Sequence, residues 1–80
     1  MQQVNVKFND VEQIRQFIKT IDKFDTNFDL GSGHREVDAK SIIGVMALDF
    51  SGPLQLRYHS DDKEIRAKIA PFLACESSRG

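Results

Sequence analysis

This chain of 80 residues has no tryptophan, a single cysteine, two prolines and almost no excess of either charge. The lone Cys75 has no partner for an internal disulfide, which points to a reducing compartment. No apolar run approaches the roughly 20 residues of a membrane span. The opening MQQVNVKF lacks the basic start and long apolar stretch of an export signal, so a cytoplasmic protein that neither crosses nor binds a membrane is expected. Eleven basic and 12 acidic residues are interspersed, for a net charge of −1. Such a balance gives no broad field to gather nucleic acid or an anionic surface. The two histidines, His34 and His59, stand apart from any cysteine or carboxylate at a metal-ligand spacing, so no metal or other cofactor is expected. Gly31-Ser32-Gly33 lacks the Lys-Ser or Lys-Thr ending of a phosphate-cradling loop and reads as a turn.

Apolar residues at 40% and charged residues at 29% suit a globular chain. A chain this short buries roughly 60 to 65% of the surface its unfolded form exposes, enough for one modest core. One domain over residues 1–74 is expected, with CESSRG as a frayed tail at 75–80.

Val4, Val6 and Phe8 alternate with polar residues and predict a half-buried first strand. Asn9 or Asp10 can cap a helix in which Glu12 supplies a first-turn carboxylate, and Ile14, Phe17, Ile18 and Ile21 form one apolar face. Phe28 and Leu30, the Gly-Ser-Gly turn and Arg35 to Val37 predict a hairpin. Leu54, Leu56 and Tyr58 predict a fourth strand. Ser60 is the expected cap of a last helix with Ile65, Ile69, Phe72 and Leu73 on its apolar face, kinked or ended near Ala70 by Pro71.

KSIIGVMALDFSGP, residues 40–53, is the most apolar stretch. Its periodicity suits either a short helix or a buried strand, but Ser41 is a good N-cap and a strand already follows at Leu54, which favours a helix from Ile42 to about Leu48. Apolar residues surround it almost completely. Two turns cannot bury every side in so small a protein, so some of Ile42, Ile43 and Met46 should remain exposed as a surface for a partner.

KSIIGVMAL resembles the regulatory-serine segment of the bacterial phosphocarrier protein HPr. TIDKFDTNFDLGSGHREVDAKS matches that family in spacing without a gap, and the likeness extends over roughly residues 2 to 73. It implies an α/β (α+β) open-faced β-sandwich of order βαββαβα, a four-stranded antiparallel sheet with helices on one face. It also places Asp10 where an HPr carries its phosphate-accepting histidine, Glu12 in place of the assisting arginine and Gln13 in place of the following proline. Carboxylates repel an incoming phosphate that an imidazole and a guanidinium would accept. The resemblance therefore implies a non-enzymatic regulatory adaptor of sugar transport or carbon catabolite control that does not carry phosphate. Ser41 would be phosphorylated by an HPr-type serine kinase. The partners would be that kinase and a transcriptional regulator or transport-system protein, which read Ile42, Ile43 and Met46 on a monomer.

Plainer readings stand beside these. Ser41 can be a cap and nothing more, which makes the chain a constitutive interaction module. Asp10 and Glu12 can be ordinary helix-start carboxylates rather than an acid-base pair or an aspartyl-phosphate site. Residual phosphocarrier activity is the third alternative. His34 and His59 suit solvated positions, and Arg15, Lys19, Arg66 and Lys68 suit the wet faces of two helices.

Overall fold

A computed structural model describes residues 2–74; the expected frayed tail, with Cys75, lies outside the described residues. The chain runs β1 (Gln2–Val6), α1 (Val11–Ile21), β2 (Phe28–Ser32), β3 (Arg35–Asp38), α2 (Ile42–Met46), β4 (Leu54–Tyr58) and α3 (Lys63–Ile69), closing in a 3-10 turn at Ala70–Phe72. The four strands form one antiparallel sheet in the order β1-β4-β2-β3.

Alternation along each strand and register across them separate the two faces. Val4 lies opposite Leu56, Leu56 opposite Leu30 and Leu30 opposite Val37, so one apolar row crosses all four strands. The neighbouring row, Asn5, Gln55, Gly31 and Glu36, belongs to the other face. That face is polar, and an ion pair of 3.1 Å joins Arg57 on β4 to Glu36 on β3 across β2, where Gly31 has no side chain. Ile14, Phe17 and Ile21 of α1 and Ile65 and Ile69 of α3 cover the apolar face as one buried core. Phe8, Phe17 and Phe72 close one end, with ring centroids 5.1 to 6.2 Å apart. The α+β open-faced sandwich expected from the sequence is the observed architecture.

Some boundaries differ from expectation. Phe8 is buried but lies beyond the end of β1. The hairpin reverses at residues 33–34 rather than 31–33, with Gly33 at φ 63°, a left-handed conformation that glycine adopts without steric cost. Helix α2 is shorter than expected and ends at Met46, although buried Leu48 still reaches the core. Asp62, not Ser60, caps α3: the Asp62 carboxylate accepts the Glu64 amide at 2.9 Å, while the Ser60 hydroxyl accepts the Asp62 amide at 3.1 Å. A carboxylate is the stronger acceptor at the positive end of a helix. The α-helix ends at Ile69, before Pro71, in line with the expected end near Ala70; the 3-10 turn then brings Leu73 to pair with Val6 on the free edge of β1 instead of extending the face of α3.

Candidate functional site

Two helix starts and the surface between them hold the residues singled out from the sequence. At the first, Asp10 takes extended backbone angles and its Oδ1 accepts the Gln13 amide at 2.9 Å. Gln13 in turn accepts the Asn9 amide through Oε1 at 2.8 Å, a variant of the capping box shifted by one residue. Glu12 lies in the first turn and its Oε2 accepts from the Gln16 side-chain amide at 3.1 Å. Asp10 and Glu12 are exposed. The arrangement is that of an acidic, capped helix start, and it presents no nitrogen nucleophile.

At the second start, Ser41 is the N-cap of α2. Its Oγ accepts the Gly44 amide at 3.2 Å and its carbonyl accepts the Val45 amide at 2.9 Å. The side chain stays exposed. Three contacts fix the approach to this serine: the Ala39 amide donates to the Phe28 carbonyl at 2.9 Å, the Lys40 amide to Asp38 Oδ1 at 2.9 Å and the Ser41 amide to the Asp38 carbonyl at 3.0 Å. Lys40 folds away from Ser41, with its Nζ donating to the Phe24 carbonyl at 2.7 Å and lying 5.7 Å from the centre of the Phe28 ring. Gly44 permits the close seating of α2, since a Cβ there would stand 3.3 Å from Val37 Cβ.

Only one side of α2 meets the core. Val45 is fully buried, whereas Ile43 is 83% exposed, Met46 44% and Ile42 38%. These three, with Ala47 and with Val11 and Arg15 of α1, line an open, mostly apolar hollow of about 430 Å³. The structure thus brings Ile42, Ile43 and Met46 together on one surface next to Ser41. Val11 and Arg15 were not singled out as site residues from the sequence. Their four-residue spacing puts them on one face of α1, but nothing in the sequence says that α2 faces it.

His34 and His59 are exposed, His34 in the hairpin turn and His59 just after β4, where its carbonyl accepts the Thr26 hydroxyl at 2.9 Å. Neither stands at the start of α1. Among the described residues no group of three or more histidine, cysteine or carboxylate side chains is placed to hold a metal, and no helix is long and apolar enough to cross a membrane. Beyond α2, Asp49 Oδ1 accepts the Ser51 hydroxyl at 2.6 Å and the Ser51 amide at 3.1 Å, and these bonds hold its carboxyl below the usual aspartate value.

No protein-family model matches the chain, and no curated protein matches it. Solved structures do, and two of them illustrate the likeness. HPr-C-His from Thermoanaerobacter tengcongensis is 22% identical, with 100% of this chain and 99% of that chain covered at a TM-score of 0.77. The phosphocarrier protein HPr from Bacillus anthracis strain Ames is 23% identical, with 91% and 94% covered at a TM-score of 0.65. The class is therefore fixed by shape: this chain is an HPr-like protein in fold, from β1 to the closing turn.

Proposed function

We propose that the chain is an HPr-like regulatory adaptor of the sugar phosphotransferase system or of carbon catabolite control, with Ser41 as its phosphorylation switch and Ile42, Ile43 and Met46 as its docking surface. The observation that carries this reading is the exposed Ser41 hydroxyl at the head of a helix whose next two residues and Met46 are exposed and apolar. A serine kinase would transfer the γ-phosphoryl group of ATP to Oγ, releasing ADP and the hydroxyl proton. The product adds about −1.5 to −2 charges at neutral pH. Its oxygens can take over the Gly44 amide that Oγ now holds, so the charge of the surface changes while the helix persists.

Phosphate carriage is not part of the proposal. Asp10 occupies the helix start at which the phosphocarrier resemblance expects a histidine, and its carboxylate is followed by Glu12. Neither residue neutralises an incoming phosphate. Incubation of the purified protein with an HPr-type serine kinase and ATP tests the switch: label is expected on Ser41 and absent from Ser41→Ala. An unmodified protein, under conditions that label an authentic HPr, removes it.

The bond from the Gly44 amide to Ser41 Oγ favours a second reading, a constitutive interaction module in which the serine only caps α2. A partner that binds wild type, Ser41→Ala and Ser41→Asp equally well would decide for it.

A further inference from the structure

A separate recess lies where β1 begins and β4 ends, and it shares no residue with the hollow beside Ser41. It encloses about 290 Å³, with Gln2, Tyr58, Asp61, Lys63 and Arg66 in its walls. Tyr58 is the last residue of β4, paired with Gln2 on one side and Phe28 on the other, and it is only 3% exposed. Its ring packs against Phe28 at 5.3 Å between centroids. The phenol hydroxyl, however, has no hydrogen-bond partner among the described residues. A buried hydroxyl left unpaired is costly, and in folded proteins such groups nearly all meet a partner. The recess that Tyr58 lines is where a partner can reach it.

The charged walls narrow what that partner is. The side chains of Asp61, Lys63 and Arg66 are exposed and form no hydrogen bond or ion pair among the described residues. Asp62 also lines the recess, but its Oδ1 already accepts the Glu64 amide at 2.9 Å and so closes the start of α3. Two carboxylates and two cations leave the recess without net charge. A simple anion or cation would meet one repelling group for each attracting one, whereas a molecule carrying both signs can satisfy both. We propose that the recess binds a small zwitterion, an α-amino acid with an apolar side chain. Its carboxylate pairs with Arg66 and accepts from the Tyr58 hydroxyl, its ammonium faces Asp61, and its side chain rests on the edge of the Tyr58 ring and the aliphatic stems of Lys63 and Arg66. The volume suits a ligand at the small end of the usual range. This site is independent of the Ser41 switch put forward above.

Titration of ¹⁵N-labelled protein with L-leucine tests it, beside 4-methylpentanoate, which lacks the ammonium group, and 3-methylbutylamine, which lacks the carboxylate. Leucine is expected to shift the amide resonances of Tyr58, Asp61 and Arg66 with a Kd on the order of 1 mM, as suits so few ligand atoms, and each analogue should bind about tenfold more weakly. Tyr58→Phe keeps the ring on Phe28 and should weaken leucine binding about fivefold, while Arg66→Gln, at an exposed position, should weaken it about tenfold. Asp61→Asn should bring leucine down to the level of 4-methylpentanoate. No shift with leucine overturns the site. Equal binding of leucine and 4-methylpentanoate by the wild type overturns the zwitterion, and leucine affinity unchanged in both Tyr58→Phe and Arg66→Gln shows that any shifts arise elsewhere, which overturns the proposal as well.

Discussion

Ser41 Oγ accepts the Gly44 amide at 3.2 Å, in the one stretch of α2 where a Cβ on Gly44 would come within 3.3 Å of Val37 Cβ on β3. The bond that starts the helix and the contact that seats it on the sheet thus meet at the same glycine. The hydroxyl's first task is structural, and any charge placed on it acts from a fixed point.

Replacing Ser41 separates these tasks. Ser41→Ala leaves the Gly44 amide without its acceptor and is expected to cost about 1 kcal/mol, read as a lower urea midpoint with an unchanged slope. Ser41→Asp supplies another good cap and should stay within about 0.5 kcal/mol of wild type. Equal stability of all three proteins would mean that the hydrogen bond contributes nothing to α2.

The exposed and buried sides of α2 should respond oppositely. Ile43 is 83% exposed, so Ile43→Lys is expected to change stability by less than about 0.5 kcal/mol while abolishing capture of any partner that uses the hollow. Val45 is fully buried, and Val45→Ala removes two methyl groups from the core at a cost of about 1 to 3 kcal/mol. Denaturant titration of both variants checks the pair; a destabilised Ile43→Lys would show that Ile43 packs in solution against something else.

Periodicity was enough to find three strands and α1, because Val4, Leu30 and Leu56 each sit in an alternating run and Ile14, Phe17 and Ile21 recur at helical spacing; the short third strand followed from the Gly-Ser-Gly turn, and the four-stranded sheet from the resemblance to HPr. The cap of α2 was legible for a similar reason, since a serine before an apolar stretch has few other local uses. Contacts between distant residues were not. The Lys40 bond to Phe24 and the pairing of Arg15 with the α2 patch in one hollow depend on how α2 lies against α1 and β2, which no local pattern encodes. The cap of α3 was misjudged because Ser60, Asp61 and Asp62 are all competent caps, and only the backbone path past β4 selects Asp62. For the candidate site, the sequence pointed to Ser41 and the apolar trio but not to the guanidinium among them.

Asp49 makes a pH prediction of definite sign. The Ser51 hydroxyl, and secondarily the Ser51 amide, favour the ionised carboxylate in the folded protein. A depressed folded-state pKa contributes stability above the range in which an unfolded aspartate titrates, and that contribution is lost as pH falls through the folded value. Because the group is fully exposed, the effect is better read by NMR than by unfolding. The Asp49 side-chain carbonyl resonance should titrate below the ordinary aspartate range in wild type and move up in Ser51→Ala. A midpoint indifferent to Ser51 would mean that the loop bonds are not kept in solution.

Lys40 should prove to be the tether that positions Ser41 rather than a free cation beside it. Its Nζ donates to the Phe24 carbonyl at 2.7 Å in a partly buried contact and sits over the Phe28 ring, so its charge is already committed on the side of β2. Lys40→Met keeps much of the stem's packing but removes the donor, leaving the Phe24 carbonyl to whatever water reaches it, at a cost of about 1 to 2 kcal/mol. Lys40→Arg keeps a donor and should recover part of that loss. The amide resonances of Phe24, Ala39 and Ser41 should move in Lys40→Met while those of α3, on another part of the core, stay in place. Lys40→Met with wild-type stability and undisturbed resonances at Phe24 and Ser41 would leave Lys40 an ordinary surface cation, and Ser41 would then be held by Asp38 and Gly44 alone.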